Sequence, residues 1–278
     1  VVASPSSRLE TPWTQTVDLV AELRAAWAWL RRPRLWRRVL PAIRAHLSAA
    51  PASTAYAFTL FVTWWTLRGL GDSTEHRLIL SASTNLINMR HNPVQVLVAS
   101  AFWTDGGFPW TTIGCFLIVM AAAERWLGTS RWILLFAAGH IGATLLTVTG
   151  ISHAIDHGLI PYRVAHATDV GTSYGFSAVL AAMAFRFRGL TRLVWAGTLI
   201  AVMVAAACTG PTFTDYGHLC ATLIGFVVAI MATTFWRWID RTTARRRARE
   251  SADPTPATTG TTVIAEAPAG AAAPSASG

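Results

Sequence analysis

The twenty residues GHLCATLIGFVVAIMATTFW, from Gly217 to Trp236, contain no Asp, Glu, Lys or Arg. A helix needs about 20 apolar residues to cross the hydrocarbon core of a bilayer, so this run predicts a membrane span. Five more runs read the same way going outward from it: 190–208, 170–185, 132–151, 106–123 and 51–70, of which 106–123 and 170–185 are short. Backbone groups in lipid must be satisfied within the segment and no alternating strand pattern recurs, so helices are the spanning element. The expectation is an all-α membrane protein with six spans over 51–236, preceded by a basic arm (1–50) and followed by a basic tail (237–278). Composition agrees: 53% of the 278 residues are hydrophobic and 13% charged, too apolar for an ordinary soluble domain.

All 23 basic residues are arginines and they lie between the apolar runs, so the formal charge of +9 reads as membrane topology and not as nucleic-acid binding. With both termini in the cytoplasm, 19 of the 23 fall inside and only Arg68, Arg77, Arg90 and Arg163 outside. The first fifty residues hold no apolar core with a cleavage site, which predicts that the amino terminus stays cytoplasmic. Within the arm, residues 17–47 interleave Leu19, Leu23, Trp27, Leu30, Trp36 and Leu40 with Arg31, Arg32, Arg34, Arg37 and Arg38. That pattern predicts an amphipathic helix on the anionic inner leaflet. Residues 251–278 are an Ala/Pro/Thr/Ser tail, expected to be disordered. Residues 78–103 are too apolar for a free loop and too polar to cross, and predict an interfacial hairpin or helix pair in the outer leaflet. Cys115, Cys208 and Cys220 stand alone in or beside apolar runs and read as packing residues.

The fourth run opens DVGTSYGFS (169–177) and the sixth DYGHLCATLIG (215–225). Both enter from the outer face, so Ser173 and His218 lie within about one helical turn of the same surface. Gly171 and Gly175 on one run, with Gly217, Ala221 and Gly225 on the other, let the two backbones approach. A serine hydroxyl becomes nucleophilic when a neutral imidazole takes its proton, and a Ser173/His218 dyad is sufficient for that chemistry. Ser177, in a second G-x-S-x string, is the alternative nucleophile, with Ser173 preferred for its depth. Asp169 and Asp215 precede the two by four and three residues; either orients His218 or sits at the wet mouth, and the mouth is the reading adopted. His140, in mid-span, is expected to bond a neighbouring helix. His153 and His157, with Asp156 beside them and His166 further on, have metal-competent spacing. They lack an H-E-x-x-H base and read as a solvated polar loop, with no metal expected.

These residues resemble a known family. GTSY (171–174) resembles the rhomboid G-x-S-x motif, Gly217-His218-x-x-Ala221-x-x-x-Gly225 the rhomboid histidine helix, and ERWLG (124–128) the family's E-R-x-x-G turn. The resemblance runs over 51–236. It implies an intramembrane serine endopeptidase without cofactor, cutting transmembrane helices near their outer ends. Ser173 would be the nucleophile, His218 the general base, and the Ser173 amide part of the oxyanion hole. The family's His/Asn pair at the head of the second span is missing: one register puts Trp110 and Gly114 there, the other Phe108 and Thr112. Trp110, Thr111 and Thr112 are left as oxyanion candidates, through an indole N–H or hydroxyls. Ser177 stands where the family often has an aromatic, with Phe176 adjacent. The lack of lysine beside abundant Arg and Ala suggests a bacterial chain, and so a bacterial inner membrane. The alternative is a catalytically silent relative that binds membrane clients; a small transporter is disfavoured because no paired broken helices are evident.

Overall fold

The structure, a computed structural model, describes residues 11–104, 109–209 and 212–252. The Asp18 carboxylate accepts from the amides of Val20 and Ala21, and so caps α1 (Leu19–Leu30). Pro33 has no amide to continue the helix and Arg34 turns left-handed at φ 60°, so the chain restarts as α2 (Leu35–Ser48). The one helix expected over 17–47 is therefore two.

α3 (Pro51–Arg68) opens on a proline, whose missing N–H costs nothing at the first helical position. Its next amides are met from another helix: Glu124 accepts from Ala52 N (3.0 Å) and Ser53 N (2.7 Å). The segment expected to lie in the interface forms α4 (Asp72–Ala82), α5 (Leu86–His91) and α6 (Pro93–Phe102). The Asn88 amide holds that turn by donating to the carbonyls of Leu80 and Ser83.

The second apolar run is one continuous helix, Trp110–Leu127. It comprises α7 (Trp110–Cys115), a π-helical stretch (Phe116–Met120) and α8 (Ala121–Leu127). Gly128, at φ 83°, reverses the chain into α9 (Thr129–Asp156). After a short 3-10 turn at Tyr162–His166 come α10 (Ser173–Met183), α11 (Gly189–Cys208) and α12 (Phe213–Ala252). Helices thus occupy all six apolar runs. Trp110–Leu127, Thr129–Asp156, Gly189–Cys208 and Phe213–Arg246 are the four long and apolar enough to cross a bilayer. α3 holds five Ser or Thr in 18 residues, and the hydroxyls of Thr54, Thr59 and Thr66 bond carbonyls one turn back. α10 has only 11 residues.

Short α10 is the centre of the bundle, with eight of its residues buried. A Cβ at Gly175 would fall on the Phe136 ring of α9, and one at Gly225 of α12 would run into the backbone of Ala178. Around it pack Leu60, Phe116, Met120, Leu127, Trp132, Phe136 and Ala229. α11 is the opposite case, burying Ala207 alone. The leading segment of the arm also joins the bundle, which the residue pattern does not announce. Trp13 meets Trp126 edge-on at 5.5 Å, the Trp126 indole donates to the Pro12 carbonyl (2.7 Å), and Val17 N donates to the Arg186 carbonyl (2.8 Å).

Among the described residues, 238–252 form a second unit, in which α12 continues to Ala252. The disorder expected from residue 251 therefore gives way to helix at 251–252, and the rest of that expectation, 253–278, lies outside the described residues.

Candidate active site

Ser173 is the first residue of α10. It follows Gly171, whose φ of 125° suits glycine alone and whose amide donates to the Ser100 carbonyl (2.8 Å). No side chain caps this helix, and its first amides, that of Ser173 among them, have no intrahelical acceptor. The Ser173 side chain is half-buried. Ser177 is buried, and its hydroxyl donates to the Ser173 carbonyl (2.8 Å), which occupies it within the helix.

His218 sits in the second turn of α12, half-buried. Its ring meets Tyr174 edge-on, with centroids 5.2 Å apart. Gly217 makes that contact possible, because a Cβ there would land on the Tyr174 ring. The two helix heads are therefore neighbours. No hydrogen bond joins the Ser173 hydroxyl to His218 among the described residues.

Asp169 departs from the wet-mouth reading: it is 9% exposed. Its Oδ2 accepts from the hydroxyls of Thr84 (2.9 Å) and Tyr174 (2.9 Å), and Oδ1 from Thr214 (3.5 Å). Its amide donates to Ser83 Oγ (2.6 Å). The carboxylate thus bonds Tyr174, whose ring meets His218, and Thr214, one turn before His218 on α12. Asp215 is more open and bonds locally, its Oδ2 accepting from the amide and hydroxyl of Thr212 (2.8 and 2.7 Å).

His140 is buried and bonds a neighbouring helix, as expected. Its Nε2 lies 3.1 Å from the Leu97 carbonyl and 3.2 Å from Ser100 Oγ on α6. A carbonyl only accepts, so Nε2 carries the proton. The same residue lines a cavity of about 420 Å³ with Tyr56, Trp132 and Phe136, apart from Ser173 and His218.

Trp110 heads α7 and is 74% exposed; Thr111 is exposed and Thr112 half-buried. Phe108, from the other register, lies outside the described residues. The rings of His153 and His157 are 4.0 Å apart, and His157 Nδ1 donates to the His153 carbonyl (2.8 Å). Among the described residues no three His, Cys, Asp or Glu are grouped to hold a metal ion.

Residue patterns alone missed Ser83, Thr84 and Thr214 as partners of Asp169. The one available signal was the polar trio Ser83-Thr84-Asn85 inside an apolar segment.

Apolar helices of bilayer length, joined through glycine contacts and buried polar bonds, define a multi-pass all-α membrane protein. A family model described as rhomboid-like protein matches residues 45–235, and the chain belongs to the rhomboid-like family. No curated protein and no solved structure matches it. Membership implies the bilayer as solvent, membrane proteins as substrates or clients, and either intramembrane proteolysis or an inactive homologue.

Proposed function

We propose that this chain is a slow intramembrane serine endopeptidase of a bacterial inner membrane, with six spans and both termini cytoplasmic. The contact of α10 with α12 carries the reading. Gly217 against Tyr174 and Gly225 against Ala178 draw the two helix heads together, which supports one mouth for Ser173 and His218. A ring nitrogen of His218 takes the Ser173 proton as the hydroxyl attacks the scissile carbonyl and gives it to the leaving amine. Water, deprotonated by the same nitrogen, then cleaves the acyl ester on Ser173, and the proton returns to the serine oxygen. The dyad bond forms on substrate binding, since catalytic hydrogen bonds are often loose in the free enzyme. The Ser173 amide and one donor from Trp110, Thr111 or Thr112 hold the oxyanion. Each missing preorganised donor costs on the order of 10²–10³ in rate, which is why the enzyme is slow. The chemistry calls on no metal or organic cofactor.

Client binding without cleavage is the second reading, favoured by the lack of a Ser173–His218 hydrogen bond and of the His/Asn pair. A fluorophosphonate probe on the protein in native lipid separates the two. The protease reading expects labelling of wild type and none of Ser173→Ala, with Trp110→Phe cleaving a transmembrane substrate more slowly while remaining folded. Neither labelling nor cleavage by wild type makes the chain a client binder.

A further inference from the structure

The arm is fastened to the bundle at two places and exposes apolar surface between them. The first fastening is the leading segment, through Trp13 on Trp126 and Val17 on Arg186. The second is His46 in the last turn of α2. Its Nε2 lies 3.0 Å from the Leu117 carbonyl, and its Nδ1 lies 2.9 Å from Arg125 Nη1. The carbonyl only accepts and the guanidinium only donates, so Nε2 is the donor to Leu117 and Nδ1 the acceptor from Arg125.

Leu117 lies in the π-helical stretch. In an α-helix its carbonyl would accept from the amide four residues on, that of Ala121. The Ala121 amide goes instead to the carbonyls of Phe116 and Ile118, and His46 supplies Leu117 with a donor in its place. An arm side chain thus supports the irregular turn of the second span.

Between the fastenings, Val20, Leu23, Trp27 and Leu30 recur at helical spacing on one side of α1 and are 46–60% exposed. On α2, Leu40 and Ile43 are exposed as well. Around them stand Arg24, Arg31, Arg32, Arg34, Arg37, Arg38 and Arg44, against only Asp18 and Glu22 over 18–48. An apolar stripe rimmed by arginines suits the headgroup region of an anionic bilayer, where each arginine adds about 1 kcal/mol of attraction.

We propose that α1 and α2 bind the anionic lipid surface at the bundle end marked by Trp126 and Phe187, and that this binding, through His46, holds the second span in its π-helical form. The proposal stands whether or not Ser173 is a nucleophile. Released from lipid, the arm withdraws His46 from Leu117. The stretch Phe116–Met120 then closes toward α-helix and rotates α7, which carries Trp110 and both threonines.

Hydrogen exchange of the full chain tests this in nanodiscs of phosphatidylcholine alone and of phosphatidylcholine with phosphatidylglycerol. Amides of 19–48 should exchange more slowly in the anionic discs, on the order of tenfold or more. High salt should erase the difference, as should Gln at Arg31, Arg32, Arg34, Arg37 and Arg38 together. His46→Ala should keep the slowed arm and speed exchange over 117–122. Equal exchange of 19–48 in the two lipids overturns the lipid site, and no change over 117–122 in His46→Ala overturns the coupling. Protection in zwitterionic discs that rises with the number of copies per disc would give the exposed face to a second copy of the chain.

Discussion

Glu124 has 1% of its surface exposed and no cationic partner in its hydrogen bonds, yet three donors meet it: the amides of Ala52 and Ser53 and the hydroxyl of Thr129. Glu124→Ala strips two helix-start amides of their acceptor at about 1–3 kcal/mol each. Thermal unfolding in detergent should show a large fall, and a smaller one for Glu124→Gln, which keeps one acceptor oxygen. Tyr174→Phe keeps the ring on His218 but removes the hydroxyl bound to Asp169. The same assay should register a loss of about 1.5–3 kcal/mol, the range for a hydrogen bond to a charged group, and an unchanged midpoint would contradict the bond. The close approach of α10 and α12 was legible in the sequence, because small residues recur at local helical spacing at Gly217, Ala221 and Gly225. The burial of Asp169 was not, since Thr84 lies 85 residues upstream and a threonine carries no mark of its partner. The Glu124 bonds were equally hidden, because two of its partners are backbone amides.

α10 and α11 divide the labour between holding the bundle and facing the surroundings. α11 leaves Leu193 and Val194 at 69% and 57% exposure, so Leu193→Ala and Val194→Ala should each change stability by under about 0.5 kcal/mol. Leu60→Ala, at a fully buried site in α3, should cost about 2–5 kcal/mol. At the contact of α10 with α12, Gly225→Val drives a side chain into the Ala178 backbone and should cost about 1–3 kcal/mol or more. Gly114→Ala, with nothing within 4 Å of the added carbon, should be neutral or gain up to about 1 kcal/mol. Equal melting of the two glycine variants would sink the close-packing account. Apolar runs made the helices over 51–236 legible. The division of the arm was also there to be read in Pro33, a helix breaker inside an otherwise periodic stretch. The π-helical stretch had no such mark, for it depends on a donor from His46, 71 residues away.

Across the whole molecule, the arginine asymmetry makes a claim about sides that labelling can check. In a chain with Cys115, Cys208 and Cys220 replaced, Leu159→Cys should react only with an impermeant reagent added outside, and Ser130→Cys only with one added from the cytoplasm. Both positions are exposed, so reaction of both from one face would contradict α9 as a span between them and remove the support for the proposed common mouth of Ser173 and His218. The tie between Glu124 and the head of α3 bears on how such a molecule is made. Ala52 precedes its acceptor by 72 residues, so a ribosome that has finished the first long helix has not yet supplied what completes it. Until translation reaches Glu124, the nascent chain holds two polar groups at the start of α3 with no carboxylate to receive them. A chain truncated in that interval keeps the defect permanently, whereas one carried past Gly128 ties α3 to the helix Trp110–Leu127.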